Sequence, residues 1–175
     1  MANRYCALML WLLTAPVLAS VQVIPDGYRH IAQQVGIPSD ILYAVALTES
    51  GTRLSHGVRP WPWTLNVAGK GYQYSSRQQA CAALMQFMQR HNPKKIDAGL
   101  GQINIGWNGH FFSTPCDALK PYQNLRIAAQ LLRQHYEQRR SWSEAVGRYH
   151  HPAGGVSAQR YRQKVAAHLR HIMKS

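Results

Sequence analysis

The chain has 175 residues, with 20 Lys and Arg against 7 Asp and Glu, a formal charge of +13 and a pI near 10.2. That balance points to an anionic partner or surface, and the 46% hydrophobic content supports one core in one domain without repeats or low-complexity segments. Three cysteines without metal-type spacing and nine histidines without a nearby ligand set exclude a zinc centre from the expectation, and no cofactor motif is present.

Residues 1–19, MANRYCALMLWLLTAPVLA, set Arg4 before an uncharged apolar run from Cys6 to Leu13, then Pro16 and small residues. This is the layout of a secretory signal peptide. Cleavage after Ala19 leaves Ser20 to Ser175 as an exported mature domain with no integral membrane span. An uncleaved anchor is the alternative, opposed by Pro16 and the weakly apolar stretch after it. Removing the signal removes Cys6 and leaves Cys81 and Cys116, either as one disulfide or as two buried thiols.

The segment PDGYRHIAQQVGIPSD predicts a short helix from Asp26 that stops at Gly36, because Pro38 cannot continue it. Ser39 is expected to cap a second helix. On it Ile41, Val45 and Thr48 share one face, Leu42, Ala46 and Glu49 share the next, and Gly51 supplies the stop. Trp61, Trp63, Tyr72 and Tyr74 around Gly69-Lys70-Gly71 predict a β-hairpin or ordered flap. From Ser75 a helical spacing returns with Ala80, Leu84, Phe87 and Met88 and runs to His91. KKIDAGLGQINIGWNGHFFSTP then reads as a Gly-rich irregular stretch, and a long loop inside a compact domain is usually functional.

Thr114 and Asp117 have capping-box spacing, and Pro121 separates a short turn from a long helix whose buried stripe is Leu125, Ala128, Ala129 and Leu132. SEAVGRYHHPAGG is a short helix ending in a Gly/Pro loop. SAQRYRQKVAAHLRHIM closes the chain as a basic amphipathic helix. The fold class expected is mainly α, with a small hairpin or flap.

Glu49 ends an apolar helix, where the negative helix terminus and partial desolvation both favour the protonated carboxyl. An acid held neutral near pH 7 suits protonation of a glycosidic oxygen. Position alone favours a surface Glu at a frayed helix end.

Three motifs in order distinguish these readings. Glu49-Ser50 follows the helix DILYAVALTES, IDAGLGQIN spans residues 96–104, and AVGRYH spans residues 145–150. Together they resemble the catalytic Glu-Ser, the G-L-M-Q element and the A-Y-N element of the lytic transglycosylases of the soluble-lytic-transglycosylase type. The resemblance is particularly to the small members that accompany type IV secretion, conjugation and type IV pilus systems. YQNLRIAAQLL looks like the helix that buttresses their cleft.

The resemblance implies a goose-lysozyme-like helical domain in the periplasm, acting on peptidoglycan glycan strands with Glu49 as the single acid and base. It implies glycan or acetamido contacts from Ser50 and Gln102, further substrate contacts from Asn104 and His150, and a hydrogen bond from the Tyr149 hydroxyl to Glu49. Components of a secretion or pilus machine are implied as partners. Gly101 stands where the family usually has Met, so a sugar-site wall is expected to lose bulk, and His150 stands where Asn is usual. Trp61, Trp63 and Tyr72 are candidates for sugar stacking or for plain core packing.

Ordinary glycosidases use two carboxylates. After Glu49 the chain offers Asp97, Asp117, Glu137 and Glu144, of which Asp117 reads as a cap and the two Glu as polar-face residues. This scarcity fits the family's intramolecular mechanism, which ends in a 1,6-anhydromuramyl product. Asp97 is expected to fix its loop, and would support hydrolysis only if it faced the cleft. The alternatives are a non-catalytic peptidoglycan-binding scaffold, a hydrolytic lysozyme and a basic nucleic-acid binder. No base-reading motif supports the last, so specific nucleic-acid binding is not expected.

Overall fold

The structure is a computed structural model that describes residues 22–55 and 57–172. The signal-peptide reading of residues 1–19 lies outside the described residues. Helix α1 (Asp26–Val35) ends on Gly36, whose φ of 74° allows its N–H to close back on the carbonyls of Ala32 and Gln33. Pro38 turns the chain into α2 (Ser39–Ser50), and Ser39 is the first helical residue rather than the side-chain cap expected. Pro38 has no N–H and a fixed φ, so it sets the helix start without a side-chain acceptor.

Helix α2 is the centre of the core. Every residue from Ile41 to Leu47 is buried, because α1, α5 (Pro121–Arg139), α7 (Gly155–Leu169) and the sheet region all pack against it. A helix enclosed on all sides is apolar all round, which is why its faces read so similarly in the sequence. Gly51 follows its last residue at a place that has no room for a side chain: a Cβ there would stand 2.3 Å from the Leu47 carbonyl oxygen. The chain then passes directly into β1 (Gly51–Leu54), which pairs with β2 (Gly57–Pro60).

The predicted hairpin is β3 (Thr64–Val67) and β4 (Lys70–Gln73), joined at Ala68-Gly69, both with positive φ. That two-residue turn matches the twist of paired strands. The Gly-rich stretch is more regular than expected: β5 (Ile96–Ala98) and β6 (Ile103–Asn104) extend the hairpin into a sheet ordered β4-β3-β5-β6, and α4 (Ile105–Asn108) follows. Helix α3 (Arg77–Arg90) starts at Ser76, whose side chain accepts from Gln79 N, and it buries Ala80 and Leu84.

Cys81 on α3 is disulfide-bonded to Cys116 in the 3-10 turn Pro115–Leu119, which carries the Thr114/Asp117 capping box. Helix α5 then begins at Pro121 and buries Leu125, Ala128, Ala129 and Leu132. It packs on α6 (Trp142–His150), which packs on α7. The architecture is mainly α and lysozyme-like, with a small antiparallel sheet on one side. Among the described residues no helix is long and apolar enough to cross a membrane.

Candidate active site

A cavity of about 670 Å³ opens between the small sheet and the helices α5 and α6. Strand register builds one wall. Asn66 on β3 pairs with Asp97 on β5, and Asp97 pairs with Asn104 on β6, so the three side chains share one face and all line the cavity. Trp107 on α4 continues that wall, while Gln134 and His135 of α5 and Tyr149 and His150 of α6 line the other. Glu49 enters from the end of α2.

Protein atoms crowd the Glu49 carboxyl on every side but the cavity, and this burial raises its pKa to about 7. A hydrogen bond from Tyr161 and the charge of Lys164, both on α7, oppose the rise, whereas the Asp97 charge adds to it. The Tyr161 hydroxyl donates to Glu49 Oε1 at 2.6 Å. The Tyr161 phenol is itself held well above its ordinary pKa, by burial and then by Glu49, so it remains a donor. His150 lies flat against Tyr161, with ring centroids 4.5 Å apart and an interplanar angle of 2°. Burial holds the His150 pKa below its usual value.

Asp97 faces the cavity and accepts from Asn104 Nδ2 at 2.7 Å. Burial raises its pKa, against the effect of that hydrogen bond. It both fixes its loop and presents a second carboxylate to the site. The other carboxylates that follow Glu49 in sequence are engaged elsewhere: Asp117 in its cap and with Lys120, Glu137 with Arg133, and Glu144 with Arg162.

The loop from Gly99 to Gln102 is held from beneath by Asn124 of α5, which is fully buried. Its Oδ1 accepts from Gly101 N at 2.7 Å, and its Nδ2 donates to the carbonyls of Ala98 and Ala118 at 2.8 and 2.7 Å. Gln102 takes a left-handed backbone with φ of 46°, strain of a kind that persists where surrounding contacts over-determine it. Its Nε2 donates to the carbonyls of Thr64 and Gly99, which leaves Oε1, an acceptor, as the amide group free to meet a ligand.

Three expectations change, and the choice left open for the aromatic rings is decided. Tyr149 does not donate to Glu49: its hydroxyl reaches the Gly101 carbonyl at 2.6 Å, and Tyr161 takes the place beside the acid. Gly101 does not open the wall, since a Cβ there would meet Ala128 Cβ at 2.7 Å and the Tyr149 hydroxyl at 2.8 Å. Ser50 is 3% exposed and directs its hydroxyl to the carbonyls of Leu100 and Ala46, joining α2 to the loop instead of facing the cavity. Trp61 and Trp63 meet edge to face, Trp61 Nε1 donates to Tyr74 O, and Tyr72 packs on Phe87, so these rings serve the hairpin's own packing rather than the cavity wall.

The structure brings together Glu49, Gln102, Asn104, Tyr149 and His150 on the cavity. Sequence reasoning missed Tyr161, Asn124 and Trp107. Asn124 had a legible signal, a polar residue on the same helical face as Ala128. Tyr161 had none, because only tertiary packing brings α7 to the end of α2. The transglycosylase SLT domain family model matches residues 28–171. No curated protein and no solved structure matches the chain.

Proposed function

From the premise that this chain belongs to the transglycosylase SLT domain family, whose model spans residues 28–171, we propose that it is a peptidoglycan lytic transglycosylase with Glu49 as its acid and base. The observation that carries this reading is the Glu49 carboxyl on the cavity wall, its pKa raised to about 7 by burial and its Oε1 bonded by Tyr161. At neutral pH such a group is divided between acid and conjugate base, the condition a single residue needs to serve in both roles.

The chemistry proceeds in two proton transfers. Protonated Glu49 gives its proton to the glycosidic oxygen as the bond from the muramyl C1 breaks, and the leaving sugar departs with a free hydroxyl. The substrate's own acetamido group stabilises the oxocarbenium-like C1. The Glu49 carboxylate then takes the proton of the muramyl C6 hydroxyl as O6 bonds to C1. This forms the 1,6-anhydro ring and restores the acid, with no water consumed. Tyr161 steadies the carboxylate while it is charged, and the Gln102 Oε1 is suited to accept from an acetamido N–H.

We assign the activity to the periplasm, where an exported chain cleaved after Ala19 would meet peptidoglycan, and to local opening of the wall for a secretion, conjugation or pilus apparatus. The positive charge suits an envelope rich in carboxylates and phosphates. Digestion of peptidoglycan in ¹⁸O-labelled water tests the mechanism: anhydromuramyl ends without label support it. Labelled reducing ends would instead establish hydrolysis, a second reading favoured by the presence of Asp97 on the same cavity.

A further inference from the structure

Trp107 is 63% exposed, yet its position is built with care. It sits on the four-residue helix α4, too short to be stable alone. Asn104 anchors it: Oδ1 accepts from the backbone N–H groups of Gly106 and Trp107, each at 3.1 Å. The same side chain's Nδ2 donates to the Lys94 carbonyl and to Asp97 Oδ1. One residue therefore ties Trp107, the turn Pro93–Lys95 and the second carboxylate of the site into one unit. Gly106 lets α4 sit hard against that turn, since a Cβ there would be 2.4 Å from Lys94 N. Above, the Lys94 ammonium lies 3.8 Å from the centroid of the Trp107 ring.

An indole fixed in place by a cap, a close backbone approach and a cation on one face, and lining the cavity that holds Glu49, has a second face free for an apolar ligand surface. The C–H face of a pyranose is such a surface. We propose that Trp107 is a stacking platform for a sugar ring of the glycan strand, setting how the strand runs past Glu49. The identity of the sugar rests on the peptidoglycan reading above; the platform itself rests on the geometry of Trp107, Asn104 and Lys94.

The test is binding of soluble peptidoglycan glycan fragments by calorimetry, in a Glu49→Gln background so that the ligand stays intact. Trp107→Ala, Trp107→Phe and Tyr122→Ala are compared, with thermal unfolding confirming that each folds. Tyr122 is an exposed aromatic on a separate pocket and serves as the control. Trp107→Ala is expected to weaken binding at least about tenfold, the size of a lost aromatic stacking partner. Trp107→Phe is expected to recover most of the affinity, and Tyr122→Ala to change nothing.

Unchanged affinity in folded Trp107→Ala overturns the platform and leaves the transglycosylase reading intact. Tenfold loss on Trp107→Ala, with parent enzyme that releases no anhydromuramyl product, supports the platform and overturns the transglycosylase reading. Absence of any glycan binding by the Glu49→Gln parent overturns the platform.

Discussion

The Tyr161 hydroxyl donates to Glu49 Oε1 at 2.6 Å across 112 residues of sequence, while Tyr149, the residue for which the resemblance implied that bond, donates to the Gly101 carbonyl. A hydrogen bond to the charged carboxylate lowers its pKa. Tyr161→Phe is therefore predicted to raise the Glu49 pKa above its value of about 7, moving the basic limb of the activity profile to higher pH and lowering the maximal rate. Tyr149→Phe should leave that limb in place and lower thermal stability by about 1 to 2 kcal/mol through the orphaned carbonyl. Profiles of turnover against pH for the two variants separate a partner of the acid from a support of the loop.

Burial of Glu49 also has a consequence for stability. Its pKa is about 7 in the folded chain against an ordinary 4.5, so between these values the folded state holds a proton that the unfolded state has lost. Stability then falls as pH rises from 4.5 to 7 and is flat above. Glu49→Gln removes the ionisation and is predicted to raise the melting temperature at pH 8 but not at pH 4. The gain is at most about 3 kcal/mol, reduced by the part of the carboxyl open to the cavity. Equal shifts at both pH values would contradict the assignment.

Asn124 satisfies three backbone groups at once beneath the loop that carries Gln102. Asn124→Ala leaves them unpaired in a dry interior and should cost about 2 to 4 kcal/mol. Because Gln102 is held in a left-handed backbone by the same loop, turnover should fall further than the loss of folded protein explains. Chemical denaturation and activity measured on the same preparation check both effects.

The Cys81–Cys116 bridge fastens α3 to the turn that leads into α5. Reduction, or replacement of both cysteines by Ala, is predicted to lower stability by about 2 to 4 kcal/mol. Neither cysteine lines the cavity, so the folded fraction should keep its rate. Denaturant midpoints with and without reductant measure the effect.

The helices and their ends were largely legible, because Gly36, Pro38, the Thr114/Asp117 box and Pro121 act through local backbone chemistry. Glu49, Gln102 and Asn104 were singled out by the motifs that contain them, since the place of Glu49 at a helix end favours by itself an ordinary surface residue. The strands β5 and β6 were not, since two- and three-residue strands acquire their form only by pairing with β3. Tyr161 was hidden for the same reason: its role depends on α7 crossing the end of α2. The bulk expected to be missing at Gly101 is supplied by Ala128 and Tyr149 from other helices, which no local pattern reveals.

The central claim, that Glu49 is both acid and base of a transglycosylase, is tested most directly by mass spectrometry of fragments released from purified peptidoglycan by residues 20–175 and by their Glu49→Gln variant. Anhydromuramyl ends from the parent, absent with the folded variant, are the predicted result. Anhydromuramyl ends released equally by both proteins, or only reducing muramic ends from the parent, would contradict it.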